Sequence, residues 1–148
     1  MGNKFKMEGA IPTERIELIL SMHKTNNFAQ LLDIKIHALD EGYCRLGMSA
    51  GEHCTNPYGD VHGGATATLV DIAMGVAVRT LGLQPVTVEL TVNYLGPVHK
   101  NDALEAEGKV IHQGSTLLLA ECLVQTAAGQ AVARGRALFT KRRDKELP

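Results

Sequence analysis

An α+β fold, with one antiparallel sheet of about six strands curled around a single long helix, is what this 148-residue chain predicts, and three observations predict it. Residues 64–81 are rich in Ala, Leu, Val, Ile and Met all the way round the helical wheel, and a helix without a polar face must be enclosed. Runs of alternating apolar and polar residues stand on both sides of that segment. Short Gly-bearing turns join the last of them, as antiparallel neighbours require.

Taken in order, Pro12-Thr13 gives a start signal, and Ile16, Ile19, Leu20 and His23 keep helical spacing. A short N-terminal helix is therefore expected, with Asn26-Asn27 ending it. Leu32, Ile34 and Ile36 then alternate with Asp33, Lys35 and His37, and Asp40-Glu41-Gly42 turns the chain into Cys44, Leu46 and Met48 at the same period. That is a hairpin with one buried face. The polar stretch 51–64, which carries Gly and Pro, reads as a long loop of the kind that is often functional in small domains.

Beyond the helix, strands are expected at 86–95, 103–112, 115–126 and 130–140, with tight turns at Gln113-Gly114 and Ala128-Gly129. In the last run Ala131, Ala133, Gly135 and Ala137 share one face and Arg134 and Arg136 the other, so something bulky must press on the small face. The length suits a single domain, 1–148, with a core over about 27–140. A sheet covered on one side only leaves a face or edge open, so pairing between copies is expected.

The apolar share of 45% and the charged share of 21% are those of a globular protein. A net charge of −1 and a pI near 6.6 supply no field for nucleic acid or an anionic membrane. Met1-Gly2-Asn3-Lys4-Phe5-Lys6 is not followed by the apolar run of a secretory signal, and no segment is apolar enough to span a membrane, so a cytoplasmic location is expected. Cys44, Cys54 and Cys122 are odd in number and lack CxxC spacing, which argues for reduced thiols. The six histidines match no ligand spacing, so neither a metal nor another cofactor is expected.

The chemistry centres on Asp71, the only charged residue between Gly63 and Val78. A carboxylate inside an enclosed helix is costly unless it is bonded or paired, so Asp71 either organises the core or performs a function. Upstream, Val61-His62-Gly63-Gly64 enters the helix, where glycines allow close approach and the free N–H groups of the first turn can receive an oxyanion. The same glycines would also serve a plain loop-to-helix turn. If both features act on one carbonyl, a single helix cannot supply them, because Gly64 and Asp71 are about 10 Å apart along the axis. A second copy running antiparallel across a two-fold axis would have to bring the carboxylate.

With Asn56-Pro57-Tyr58-Gly59, Val61-His62-Gly63-Gly64, Thr68-Leu69 and Asp71-Ile72-Ala73 at this spacing, the chain resembles the hotdog-fold acyl-CoA thioesterases of the phenylacetate-pathway type over about 27–140. The resemblance implies a six-stranded sheet around a long helix, homodimers with shared active sites that often pair into tetramers, and an acyl-CoA substrate whose coenzyme A is no cofactor. It further implies that the Gly63 N–H, helped by Gly64, polarises the thioester carbonyl, and that His62 positions that turn. Asp71 of the partner chain would be nucleophile or general base, with Asn56 beside the carbonyl and Thr87 holding the attacking water. Leu69, Ala73, Met74 and Val76 are the expected lining of an acyl pocket. Lys141, Arg142 and Arg143 are candidates to grip the phosphates of coenzyme A. The competing readings are an acyl-CoA-binding sensor or carrier without turnover, a hydratase of the same fold, and a transferase using Cys54.

Overall fold

The computed structural model describes residues 11–142 and 146–148. The order of elements is α1 (Thr13–Lys24), α2 (Asn27–Leu31), β1 (Lys35–Asp40), β2 (Tyr43–Ser49), a 3₁₀ turn (Glu52–Cys54), α3 (Gly63–Thr80), β3 (Pro85–Tyr94), β4 (Ala103–Gln113), β5 (Leu117–Thr126) and β6 (Ala131–Lys141). The six strands form one sheet in the order β1-β2-β4-β5-β6-β3, with every neighbouring pair antiparallel. The sheet curls around α3, which touches all six strands. This is the α+β architecture expected, and the three turns that follow β1, β4 and β5 sit where the sequence placed them.

Two details of the entry segment differ from expectation. The first helix stops at Lys24, and Asn26 starts another: its Oδ1 accepts from the Ala29 N–H at 3.1 Å and caps α2. Leu32 and Ile34 are buried as their alternation implied, but they belong to the turn after α2, and β1 begins only at Lys35.

Helix α3 sits unusually close to the sheet, and the sequence shows how. Across β2, β4, β5 and β6 the residues Cys44, Gly108, Cys122 and Gly135 lie side by side in register. A Cβ on Gly108 would stand 2.5 Å from the carbonyl oxygen of Ala73, and one on Gly135 would stand 2.2 Å from Val70 Cγ1. The small face of β6 therefore receives Val70, the bulky neighbour that its alanines and glycine predicted. The Cys44 thiol donates to the same Ala73 carbonyl at 2.9 Å. At the far end the buried Thr80 hydroxyl donates to Ala77 O and accepts from the Gly42 N–H, so this buried polar group is fully satisfied.

Strand β3 is the exception to the alternating pattern. Among the described residues it bonds only β6 and its other edge is free, so Val86, Val88, Leu90 and Tyr94 are exposed. Among the described residues, no helix is long and apolar enough to cross a membrane.

The seating of α3 gives a direct test. Gly108→Ala would drive a methyl into helix backbone that cannot rotate away, and should destabilise the fold by about 1–3 kcal/mol in chemical denaturation.

Candidate active site

Helix α3 begins where the loop after β2 is pinned. Thr55 and Val61 bridge, Val61 donates to Val98 O at 2.9 Å, and His62 donates to Cys54 O, so the chain enters the helix on a fixed path. His62 is the N-cap, and its Nδ1 accepts from the Gly64 N–H at 2.8 Å. The ring thus holds this turn, as expected of His62, but it also consumes the Gly64 N–H. Gly64 is therefore no free donor, which corrects its expected part in an oxyanion site. The Gly63 N–H has no acceptor among the described residues and is the amide left available.

Asn56 shapes the preceding loop. Its Oδ1 accepts from the N–H groups of Tyr58, at 2.9 Å, and Asp60, at 3.2 Å, while its backbone exchanges bonds with Gly59 and Asp60. Two backbone donors require the oxygen at that position, so the free end of the amide is its NH₂ group, a donor. Gly59, with φ of 87°, supplies the left-handed residue that closes the turn.

Asp71 lies in the middle of α3 and is half-buried, which modifies the expectation of a fully enclosed helix. The sheet wraps only part of the circumference. Gly64, Ala67, Thr68, Asp71 and Ile72 form a stripe that this chain leaves partly uncovered, next to β3. Thr87 on β3 donates its hydroxyl to Asp71 Oδ1 at 2.9 Å. A bulge at Val88, where the pairing with β6 slips between Thr87 and Glu89, reorients the strand beside Asp71.

Beside Asp71 is an open pocket of about 320 Å³ with apolar walls from Phe28, Ala67, Ile72 and Leu90, and with Thr68 on its polar side. The residues expected to line such a pocket do not. Leu69, Ala73 and Met74 are fully buried and Val76 is 1% exposed, because they point from α3 into the sheet. Phe28, Ile72 and Leu90 escaped the sequence reading: α2 is too short to show a period, and a wheel without a polar face gives no phase to say which residues look out.

Arg142 is exposed just past β6, where its N–H donates to Gln84 O, close to the C-terminal end of α3. Within one chain it is not gathered with Gly63 and Asp71, and Arg143 lies outside the described residues. The three thiols are all pushed up by burial, Cys122 to about 12, so none offers a ready thiolate. His53, the base a reactive Cys54 would need, is bonded to Leu31 O at 2.8 Å instead.

The sequence model described as "Thioesterase superfamily" matches residues 58–133, which include Gly63, Asp71 and Thr87. The chain belongs to the thioesterase superfamily. As a member it is a hydrolase of thioesters, and its sheet and helix are the hotdog fold. It is similar to human acyl-coenzyme A thioesterase 13, with 32% identity over 81% of this chain and 89% of the relative. The structure of the Escherichia coli PaaI protein from the phenylacetic acid degradation operon superposes with a TM-score of 0.87 at 24% identity, covering 92% of this chain and 99% of that one. A hypothetical thioesterase protein of Streptococcus pneumoniae, solved with coenzyme A, matches with a TM-score of 0.74 at 26% identity, covering 78% and 91%. Its structure is also known for two variants, an aspartate and a threonine each replaced by alanine, and these positions are sixteen residues apart, the separation of Asp71 and Thr87 here.

The loop of this thioesterase-superfamily chain carries a tie that titrates near neutral pH. His99 Nδ1 bonds Asp60 Oδ1 at 2.9 Å, and this bond first, then the carboxylate charge, raises the His99 pKa above 6.5. The folded state thus favours protonated His99. Its contribution is fully present below about pH 6.5 and is lost as pH rises through the higher folded value. The melting temperature should therefore decline as pH rises above about 6.5, and should do so less in His99→Gln.

Proposed function

We propose that the chain hydrolyses acyl-CoA thioesters of small or medium apolar acyl groups, with Asp71 as general base and the Gly63 N–H of a partner chain as oxyanion donor. The hydrogen bond from Thr87 to Asp71 carries the reading, because it ties one carboxylate oxygen and leaves the other to accept a proton. Nothing in a passive apolar binding groove calls for a carboxylate held in this way, and this favours turnover over the sensor or carrier reading. The coenzyme A bound by the pneumococcal protein supports the substrate class, and its matching aspartate and threonine variants support the pair.

Gly63 and Asp71 are about 12 Å apart along α3, so the two act together only across a two-fold axis. Ala67 lies midway between them, four residues from each, on the partly uncovered stripe. An antiparallel partner helix crossing at Ala67 would set each Asp71 against the other chain's Gly63, with small side chains between the helices. The free edge of β3 and its exposed valines suit the same pairing, in which two sheets join edge to edge. The homodimer is then the catalytic unit.

In the reaction, Asp71 takes a proton from water while the water oxygen bonds to the thioester carbon. The carbonyl electrons move onto oxygen, where the Gly63 N–H and the Asn56 amide NH₂ receive them, a stabilisation worth roughly 3–4 kcal/mol per well-placed donor. Collapse breaks the carbon–sulfur bond, and the departing thiolate takes the proton held by Asp71, leaving the carboxylic acid and free coenzyme A. Chemistry of this kind requires neither metal nor other cofactor. The acyl group lies in the pocket walled by Phe28, Ala67, Ile72 and Leu90.

Asp71→Asn should lower kcat for acyl-CoA hydrolysis by roughly 10²–10⁴-fold while the oligomer and substrate binding persist. Release of coenzyme A, followed with a thiol reagent, checks this, and parent-like turnover by the variant would remove Asp71 from the mechanism. Phe28→Ala should raise kcat/KM for long straight-chain acyl-CoAs relative to short ones, since it opens a wall of the pocket. An unchanged chain-length profile would place the acyl group elsewhere.

A further inference from the structure

Tyr94 has no part in the reaction just described, yet it makes two contacts to the one residue that offers the oxyanion donor. Its hydroxyl, at the end of β3, donates to the Gly63 carbonyl at 2.7 Å. Its ring lies against the same residue, since a Cβ on Gly63 would stand 3.2 Å from the ring Cζ and from the hydroxyl oxygen. Tyr94 is itself 54% exposed, so these contacts bury little apolar surface, and an exposed hydrogen bond of this kind contributes little to stability.

What the contacts do accomplish is geometric. Gly63 is the first residue of α3 and the least restrained by its own chemistry, having no Cβ and an N–H without an intrahelical partner. His62 fixes the next amide by bonding the Gly64 N–H, but it does not touch the Gly63 N–H. A single amide donor that swings by about 1 Å forfeits roughly 10² in rate, so something must hold it.

We propose that Tyr94 is a positioning residue for thioester hydrolysis, clamping Gly63 by its carbonyl and its α-carbon so that the N–H is aimed at the developing oxyanion. The inference rests on the functional reading above. It also bears on why position 63 is glycine: a Cβ there would stand 3.2 Å from the ring, so the ring would have to shift by a few tenths of an ångström and loosen its hold.

Tyr94→Phe keeps the ring and removes the hydroxyl. Its kcat should fall roughly tenfold, with KM nearly unchanged and the melting temperature within about 2 °C of the parent. A parent-like kcat in an enzyme that does hydrolyse acyl-CoA would overturn the proposal without touching the functional reading, as would a loss of stability with kcat intact. Gly63→Ala should lower kcat roughly tenfold, and it should regain at least about threefold in kcat when combined with Tyr94→Ala, because the methyl group then has room. Independent, multiplicative losses would sink the clamp. Should the parent hydrolyse no acyl-CoA at all, the functional reading fails, and the steric half of the clamp is still tested by melting: Gly63→Ala should lower the melting temperature in the parent but not in the Tyr94→Ala background, and an equal drop in both would refute it.

Discussion

The close seating of α3 on the sheet is the constraint from which the rest of the structure follows. Cores are packed to the density of organic crystals, so the spacing between a helix and a sheet is set by the side chains between them. Here Gly108 and Gly135 remove those side chains at two points, and the backbone at Ala73 and the side chain of Val70 descend into the gaps. Rotation of α3 about its axis would drive Val70 or Ala73 into a neighbouring strand. The helix therefore has one permitted phase, and that phase decides which residues it hides and which it shows.

Hidden are Leu69, Val70, Ala73, Met74 and Val76, and shown are Gly64, Ala67, Thr68, Asp71 and Ile72. A carboxylate at position 71 thereby escapes the full cost of burial while still lying against apolar walls. The edge strand completes the arrangement. Among the described residues β3 is bonded on one side only, so its Val88 bulge disturbs no second strand of this chain, and Thr87 is free to meet Asp71. The same strand ends in Tyr94, which reaches Gly63 at the other end of the uncovered stripe. One exposed strand thus touches both halves of the chemistry that a two-fold axis would unite.

How much of this was legible in the amino-acid sequence depends on whether a period carried it. Period-two alternation placed the last four strands to within two residues, the Gly-bearing turns set which of them are neighbours, and the small face of β6 announced that something bulky, found to be Val70, would lie against it. Asp71 stood out because a lone charge in an apolar helix is expensive. Phase was not legible. A wheel apolar on all sides fits any rotation, and so Leu69 and Met74 were assigned to a pocket they do not reach. Nor does a bulge leave a periodic trace, which is why Thr87 enters only through the resemblance, as a residue holding water, and its bond to Asp71 is visible only in the fold. Phe28 sits on a five-residue helix whose only sequence mark is the cap at Asn26.

The division of labour at the start of α3 bears on why the proposed mechanism calls for two chains. A helix N-terminus has several unsatisfied N–H groups, and a substrate oxyanion could in principle use more than one. In this chain His62 takes one of them for itself, which rigidifies the turn but leaves Gly63 as the amide to be offered. In the proposed mechanism Asn56 offers the other donor, and its loop is closed by Oδ1 on two backbone amides, so its NH₂ is held in place. Both donors thus belong to the loop-helix junction of one chain, whereas the acceptor of the water proton is about two turns further along the helix, too far to meet them. Donors and base are kept rigid by separate elements, and on the proposed mechanism a symmetric partner brings them to one carbonyl. In the proposed mechanism assembly is thereby a condition of catalysis, because a lone chain would hold half of each of two sites.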